Sequence, residues 1–77
     1  MMSQIGANMD LISIIAFICV HNSDLKNNPK CESQIKQCVE WAVEQPIAKS
    51  QHLSEIQIAN ALLFDQANRK ALCSRFE

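Results

Sequence analysis

The chain has 77 residues, and seven Lys and Arg against eight Asp and Glu give a formal net charge of −1. A chain with this balance has no general electrostatic attraction to nucleic acid or to acidic membranes, so neither is an expected partner. One Gly, two Pro and no Tyr leave little material for strands and hairpins, and one all-α domain over residues 1–77 is predicted. A single core of this size contributes only about 3 to 5 kcal/mol, so thiols or a partner are expected to add to it.

The first predicted helix covers about residues 9–20, after a weakly ordered lead-in at residues 1–8. Ten of its twelve residues, MDLISIIAFICV, are apolar, and they surround the helix axis. A transmembrane helix requires about 20 apolar residues, so no membrane span is predicted. The run has the length of the hydrophobic part of a secretory signal, about 7 to 15 residues. However, no Lys or Arg precedes Lys26 and no Ala-x-Ala pattern follows, so a buried core helix is preferred and an atypical signal sequence stays open.

The second predicted helix covers about residues 29–44. Asn28 is placed to act as its N-cap, and Pro29 suits the first helical position because no N–H is needed there. Pro46 disfavours helical geometry at Gln45 and therefore ends the helix near that point.

The third and longest predicted helix covers about residues 54–76. Ser54 and Gln57 have the spacing of a capping box, in which each side chain bonds to the other residue's backbone N–H. Farther along, Asp65 is spaced to contact Arg69 one turn later. Because short connections favour antiparallel neighbours, the predicted architecture is an up-down-up three-helix bundle.

This topology predicts where the four cysteines lie. Antiparallel pairing places Cys19 opposite Cys31, with Cys73 nearby, so these three form a predicted thiol cluster. Cys38 is expected to lie apart, two turns along its helix. A disulfide requires Cα atoms about 4.4 to 6.8 Å apart, so Cys19–Cys31 is the best-placed pair and Cys31–Cys73 the second.

Three interpretations of the thiols remain open. All four can be reduced core residues of a cytoplasmic protein, since free Cys is often buried and no export signal is evident. They can instead form disulfides in a periplasmic or secreted protein, where each closed loop contributes about 3 kcal/mol. In the third interpretation, Cys19, His21, Cys31 and Cys73 form a metal or redox site, although the paired C-x₂₋₄-C spacing of structural zinc sites is missing.

Few residues are arranged for catalysis. His21 and His52 fall in connections, and the chain has no Gly-rich phosphate loop, no H-E-x-x-H and no Ser nucleophile elbow. No catalytic residue, metal or cofactor is therefore assigned, and the protein is not expected to be an enzyme.

The excess of apolar surface on the first helix is the feature that predicts a function. Two neighbouring helices cannot cover all of it, and large exposed apolar patches usually mark partner surfaces. The predicted function is a small protein-interaction module, with a homodimer as the expected assembly. The alternatives are an exported disulfide-stapled binder of the inhibitor or immunity type and a metal or redox protein. The predicted interface residues are Leu11, Ile14, Phe17, Ile18 and Trp41.

One stretch resembles a known family. Residues 41–63, WAVEQPIAKSQHLSEIQIANALL, are similar in rhythm to the later part of the small helical periplasmic immunity proteins that neutralise type VI secretion amidases. In those proteins an aromatic-led helix meets a Pro and then an A-x-A-L-like helix. The resemblance covers less than a third of the chain, and the first half lacks the family's signal peptide and Gly-Tyr pattern. It implies an exported inhibitor, which is the alternative function above.

Overall fold

The computed structural model describes residues 10–77, so the lead-in predicted at residues 1–8 and the helix start predicted at Met9 lie outside the described residues. The described part is helical and contains no strand, which confirms the all-α class. Its elements are α1 (Leu11–His21), α2 (Cys31–Val43), α3 (Pro46–Ser50), α4 (Glu55–Phe64), α5 (Gln66–Cys73) and a closing 3₁₀ turn, Ser74–Phe76.

Polar side chains form hydrogen bonds at the start of each of the first two helices. The Asp10 carboxylate accepts a hydrogen bond from Ser13 N at 2.8 Å and caps α1. Before α2, Asn28 Oδ1 accepts from Lys30 N at 2.9 Å and Asn28 Nδ2 donates to Gln34 Oε1 at 2.8 Å. The predicted N-cap role of Asn28 and the helical position of Pro29 are wrong, because α2 begins two residues later than predicted, at Cys31, with Lys30 as its N-cap. The Asn28 side chain instead caps the turn that precedes the helix.

Pro46 does more than end the second helix. It occupies the first position of a five-residue helix, α3, in a segment predicted as a connection. This helix closes with a Schellman motif, in which His52 N donates to Lys49 O at 3.1 Å and Leu53 N donates to Ala48 O at 3.0 Å. His52 supplies the left-handed residue of the motif, with φ 56°.

The predicted third helix is divided at Asp65. The capping box at its start is confirmed, since Gln57 N donates to Ser54 Oγ and Ser54 N donates to Gln57 Oε1. Asp65 has an extended backbone, φ −132° and ψ 96°, and its carboxylate accepts from Asn68 N at 3.0 Å to cap α5. Short polar side chains compete in this way with the helical backbone. The predicted three-helix bundle is not confirmed, because the third helix is broken here and α3 precedes it.

The helices pack around one cluster of buried apolar residues. α1 packs mainly against α4 and also contacts α2, while α2 contacts α4 and α5. Every helix contributes to this core, and the loop between α1 and α2 adds Leu25. The largest fully buried apolar side chains are Ile14, Ile18, Ile35, Val39 and Leu62.

Candidate functional site

The best-placed pair of cysteines is joined. Cys19, near the end of α1, forms a disulfide with Cys31, the first residue of α2, with a Cα–Cα distance of 6.0 Å. This pairing is the one that the short connection and the antiparallel register predicted. Both residues are almost fully buried, so the bond fastens α1 to α2 at the edge of the core.

The prediction for the other two cysteines is wrong. Cys38 does not lie apart and Cys73 is not bonded to Cys31; instead Cys38 and Cys73 form the second disulfide, with Cα atoms 5.4 Å apart. The predicted register assumed one straight helix over residues 54–76. The separate helix α3 and the break at Asp65 change that register and place the end of α5 beside the middle of α2.

These two bonds use all four sulfur atoms, and no cysteine is free. This arrangement disagrees with the interpretation in which the thiols are reduced. Because their sulfur atoms are bonded, Cys19, Cys31 and Cys73 also do not form the predicted set of metal ligands. Within residues 10–77, no group of three or more His, Cys, Asp and Glu side chains is placed to hold a metal ion. His21 stacks on Phe17, with ring centroids 5.4 Å apart.

The predicted interface residues divide into two groups. Ile14 and Ile18 are buried in the core and therefore cannot form a surface, and Leu11 is half-buried against it. Phe17 is 45% exposed, as an interface residue has to be. The prediction failed for Ile14 and Ile18 because an all-round apolar helix gives no periodicity that distinguishes its inner from its outer side.

The outer face of α1 is nevertheless apolar. Ile12 is 70% exposed and Val20 is 64% exposed, and both were missing from the predicted interface. Two polar residues could have located this face, because Ser13 and His21 each lie four residues from Phe17 along the same side of the helix. We call Ile12, Phe17 and Val20 the α1 outer stripe.

Trp41, the remaining predicted interface residue, is half-buried on α2. Its ring lies 5.9 Å from that of Phe76, and the Arg75 guanidinium lies 4.6 Å above its centroid. The closing 3₁₀ turn therefore covers part of this side chain, and Trp41 contributes to the packing of the chain's own C-terminal turn.

Arg69 is a polar residue whose surroundings the sequence did not indicate. Its side chain is fully buried, and it donates from Nη2 to the Asp24 carboxylate at 3.0 Å and from Nη1 to Glu77 Oε2 at 2.8 Å. The predicted contact with Asp65 is not formed, because that carboxylate caps α5. Desolvation opposes ionisation of Asp24, but the hydrogen bond and charge of Arg69 outweigh it, and the pKa of this carboxyl lies below 3.8. The triad thus joins three distant segments.

No helix among residues 10–77 combines the length and the apolar character that crossing a membrane requires. Comparisons with protein-family models, with curated proteins and with solved structures each found no match.

Proposed function

We propose that this protein is a non-enzymatic, disulfide-stabilised binding module that self-associates through the α1 outer stripe. The observation that supports the proposal is the exposure of Ile12, Phe17 and Val20 on a helix whose opposite side is buried in the core. A large apolar side chain gains about 1.5 to 3 kcal/mol when it goes from full exposure to full burial, so covering the exposed parts of these three side chains gains a fraction of that amount for each. A second protein surface supplies that cover.

A second copy of the chain is the partner that the chemistry of this face favours. The outer side of α1 also presents Ser13 and His21, and these five residues include no Lys, Arg, Asp or Glu. The two charges that border this face at Ile12, Glu32 and Lys36 of α2, have opposite signs. The face can therefore meet its own copy about a two-fold axis without net repulsion, and such self-complementary contacts are the commonest in soluble oligomers.

Arg69 is the charged residue whose side chain is fully buried among the described residues, and its contacts support a non-enzymatic role. Arg69 is held between Asp24 and Glu77, both of which are nearer the surface. The triad therefore ties segments of the chain together, and each of its charges already has a partner.

An oxidising compartment, periplasmic or extracellular, is part of the same proposal and replaces the cytoplasmic location predicted from the sequence. Two buried disulfides within 77 residues support it, because disulfides persist in such compartments and are rare in the reducing cytoplasm. A count of free thiols on protein taken directly from its native compartment tests this part. We expect none, and four free thiols would contradict it.

Sedimentation equilibrium of the oxidised protein tests the interface. The wild type is expected to be a dimer at high micromolar concentration, and Phe17→Lys or Ile12→Lys should give a folded monomer. Phe64→Lys is the matched control, because Phe64 is an exposed aromatic residue on a different helix, α4. A wild type that stays monomeric, or a dimer that dissociates only with Phe64→Lys, would refute the assignment of the α1 outer stripe.

A further inference from the structure

A second apolar feature lies between α2, α3, α4 and α5, away from the α1 outer stripe. It is a cleft of about 260 Å³. Apolar side chains from all four helices and from the connection after α3 form its walls. We call it the α3 cleft, and its main apolar wall residues are Trp41, Ala48, Leu53, Ile58, Ala61 and Leu72.

A disulfide and two helix-capping motifs hold the walls of the α3 cleft in place. The Cys38–Cys73 disulfide fixes α2 to α5 within one turn of Trp41 on one side and next to Leu72 on the other. The Schellman motif at His52 and the capping box at the start of α4 fix the connection between α3 and α4. A site held in this way requires little ordering when a ligand binds, which favours affinity.

The polar groups of the α3 cleft are uncharged. Three residues with carboxamide side chains are part of its lining, Gln45, Gln57 and Asn68. Gln45 Nε2 already donates to Trp41 O at 3.1 Å, and Gln57 Oε1 accepts from Ser54 N at 2.7 Å. Among residues 10–77 no partner hydrogen-bonds to the half-buried Asn68 side chain, so its amide is available to a ligand.

The α3 cleft differs from the other large cleft in the charge of its lining. The cleft of about 660 Å³ beside the Cys19–Cys31 disulfide includes Lys26 and Glu32 in its lining. The α3 cleft has no ionisable residue in its lining. Burying an unpaired charge in such a place is costly, so a charged ligand is disfavoured there.

We infer that the α3 cleft binds a neutral, mainly hydrocarbon small molecule that carries at most one hydroxyl or amide group, which bonds to the Asn68 carboxamide. The volume sets the size of this ligand. An apolar cavity of about 150 Å³ holds benzene, and by the same scale 260 Å³ holds about ten carbon atoms. Medium-chain alcohols and small terpene-like alcohols have this size and polarity.

Titration of the ¹⁵N-labelled, disulfide-bonded protein with octanol, followed by NMR, tests the inference. We expect saturable shifts confined to the amides around Ala48, Leu53, Ala61 and Leu72. Octanoate, which has the same chain length with a charge, should bind at least about tenfold more weakly because its carboxylate has no cationic partner. Shifts that do not saturate, or that centre on the α1 outer stripe, would overturn the assignment.

Ala61→Phe is the variant that tests the α3 cleft most directly. Ala61 is exposed on α4 and lines the α3 cleft, so a phenyl ring at this position fills the cleft without displacing a core side chain. We expect octanol affinity to fall by about tenfold or more, as hydrophobic pockets discriminate by about 10 to 200-fold. Ala67→Phe, at an exposed position on α5 outside the cleft, is the matched control and should bind as the wild type does.

The thermal unfolding curves of both variants show whether each is folded. A folded Ala61→Phe protein with wild-type octanol affinity would refute the site. The site would also be refuted if the wild type did not bind octanol and Ala61→Phe abolished self-association, because the cleft would then be part of the protein interface. The inference does not rest on the proposed function. Ala61→Phe changes the α3 cleft and leaves the residues of the α1 outer stripe unchanged, so the two proposals are tested separately.

Discussion

Arg69 and Asp24 are 45 positions apart, and the Arg69 guanidinium donates to both carboxylate oxygens of Asp24, at 3.2 and 3.0 Å. This contact joins α5 to the loop between α1 and α2, and a second ion pair adds Glu77 from the end of the chain. The Arg69 side chain is fully buried, whereas those of Asp24 and Glu77 are 40% and 21% exposed. The positive charge is therefore the member of the triad that depends most on its partners.

Removing both acidic partners should destabilise the protein more than removing the whole triad. In the double variant Asp24→Asn, Glu77→Gln, the guanidinium stays charged and buried without a counter-charge, and we expect a loss of about 3 to 5 kcal/mol in the free energy of unfolding. Adding Arg69→Met should recover most of this loss, because an apolar side chain of similar length then fills the site. Urea denaturation measures both. A triple variant as unstable as the double variant would contradict the electrostatic explanation.

The same ion pair predicts a dependence of stability on acid. Desolvation alone would raise the pKa of Asp24, but the Arg69 hydrogen bond and charge lower it below the ordinary value of 3.8. A depressed pKa in the folded state means that the contribution is complete above the unfolded value and is lost as the pH falls through the folded value. The difference in unfolding free energy between wild type and Asp24→Asn should therefore be constant above about pH 5 and shrink below it.

The comparison with Asp24→Asn isolates this group. The pKa of Asp10 is also lowered, by the hydrogen bond from Ser13, but Asp10 is present in both proteins and cancels in the difference. A difference between the two proteins that grows as the pH falls would have the wrong sign for a depressed carboxyl pKa.

The two disulfides should differ in their contributions to stability. Cys38 and Cys73 are 35 residues apart and Cys19 and Cys31 are 12 apart, so the loop-entropy model predicts about 4 kcal/mol for the first pair and about 3 kcal/mol for the second. Paired alanine substitutions, compared by urea denaturation, measure each contribution. A larger loss for the Cys19→Ala, Cys31→Ala protein would show that native-state packing around the bond outweighs loop entropy.

The sequence predicted features that depend on neighbouring residues. The capping box of Ser54 and Gln57 and the Cys19–Cys31 pair each follow from residues within one cap or across one short connection. The break at Asp65 was missed because the apolar pattern continues on both sides of it, while the competing side-chain cap depends on one residue. Together with the missed helix α3, this error produced the wrong partner for Cys73.

The α1 outer stripe and the Arg69 triad illustrate two other limits of prediction. The apolar residues of α1 surround its axis and only Ser13 and His21 mark its outer side, so Ile14 and Ile18 were assigned to a surface from which they are absent. The burial of Arg69 depends on acids 45 positions before it and eight after it in the chain. No local pattern brings such residues together, because only the packing of α5 against the α1–α2 loop does so.

His52→Gly is expected to stabilise the protein. His52 holds a left-handed backbone, φ 56°, at the end of α3, and the two hydrogen bonds of the Schellman motif depend on that conformation. A side chain with a Cβ is strained by about 1 to 2 kcal/mol in this region, and glycine removes the strain but makes the unfolded chain more flexible. The net gain should be about 0.5 to 1 kcal/mol, measured by urea or thermal denaturation. His52→Ala is the matched control, because it removes the imidazole but keeps the Cβ, and it should give no such gain. An equal gain from both variants would assign the effect to the imidazole rather than to the backbone.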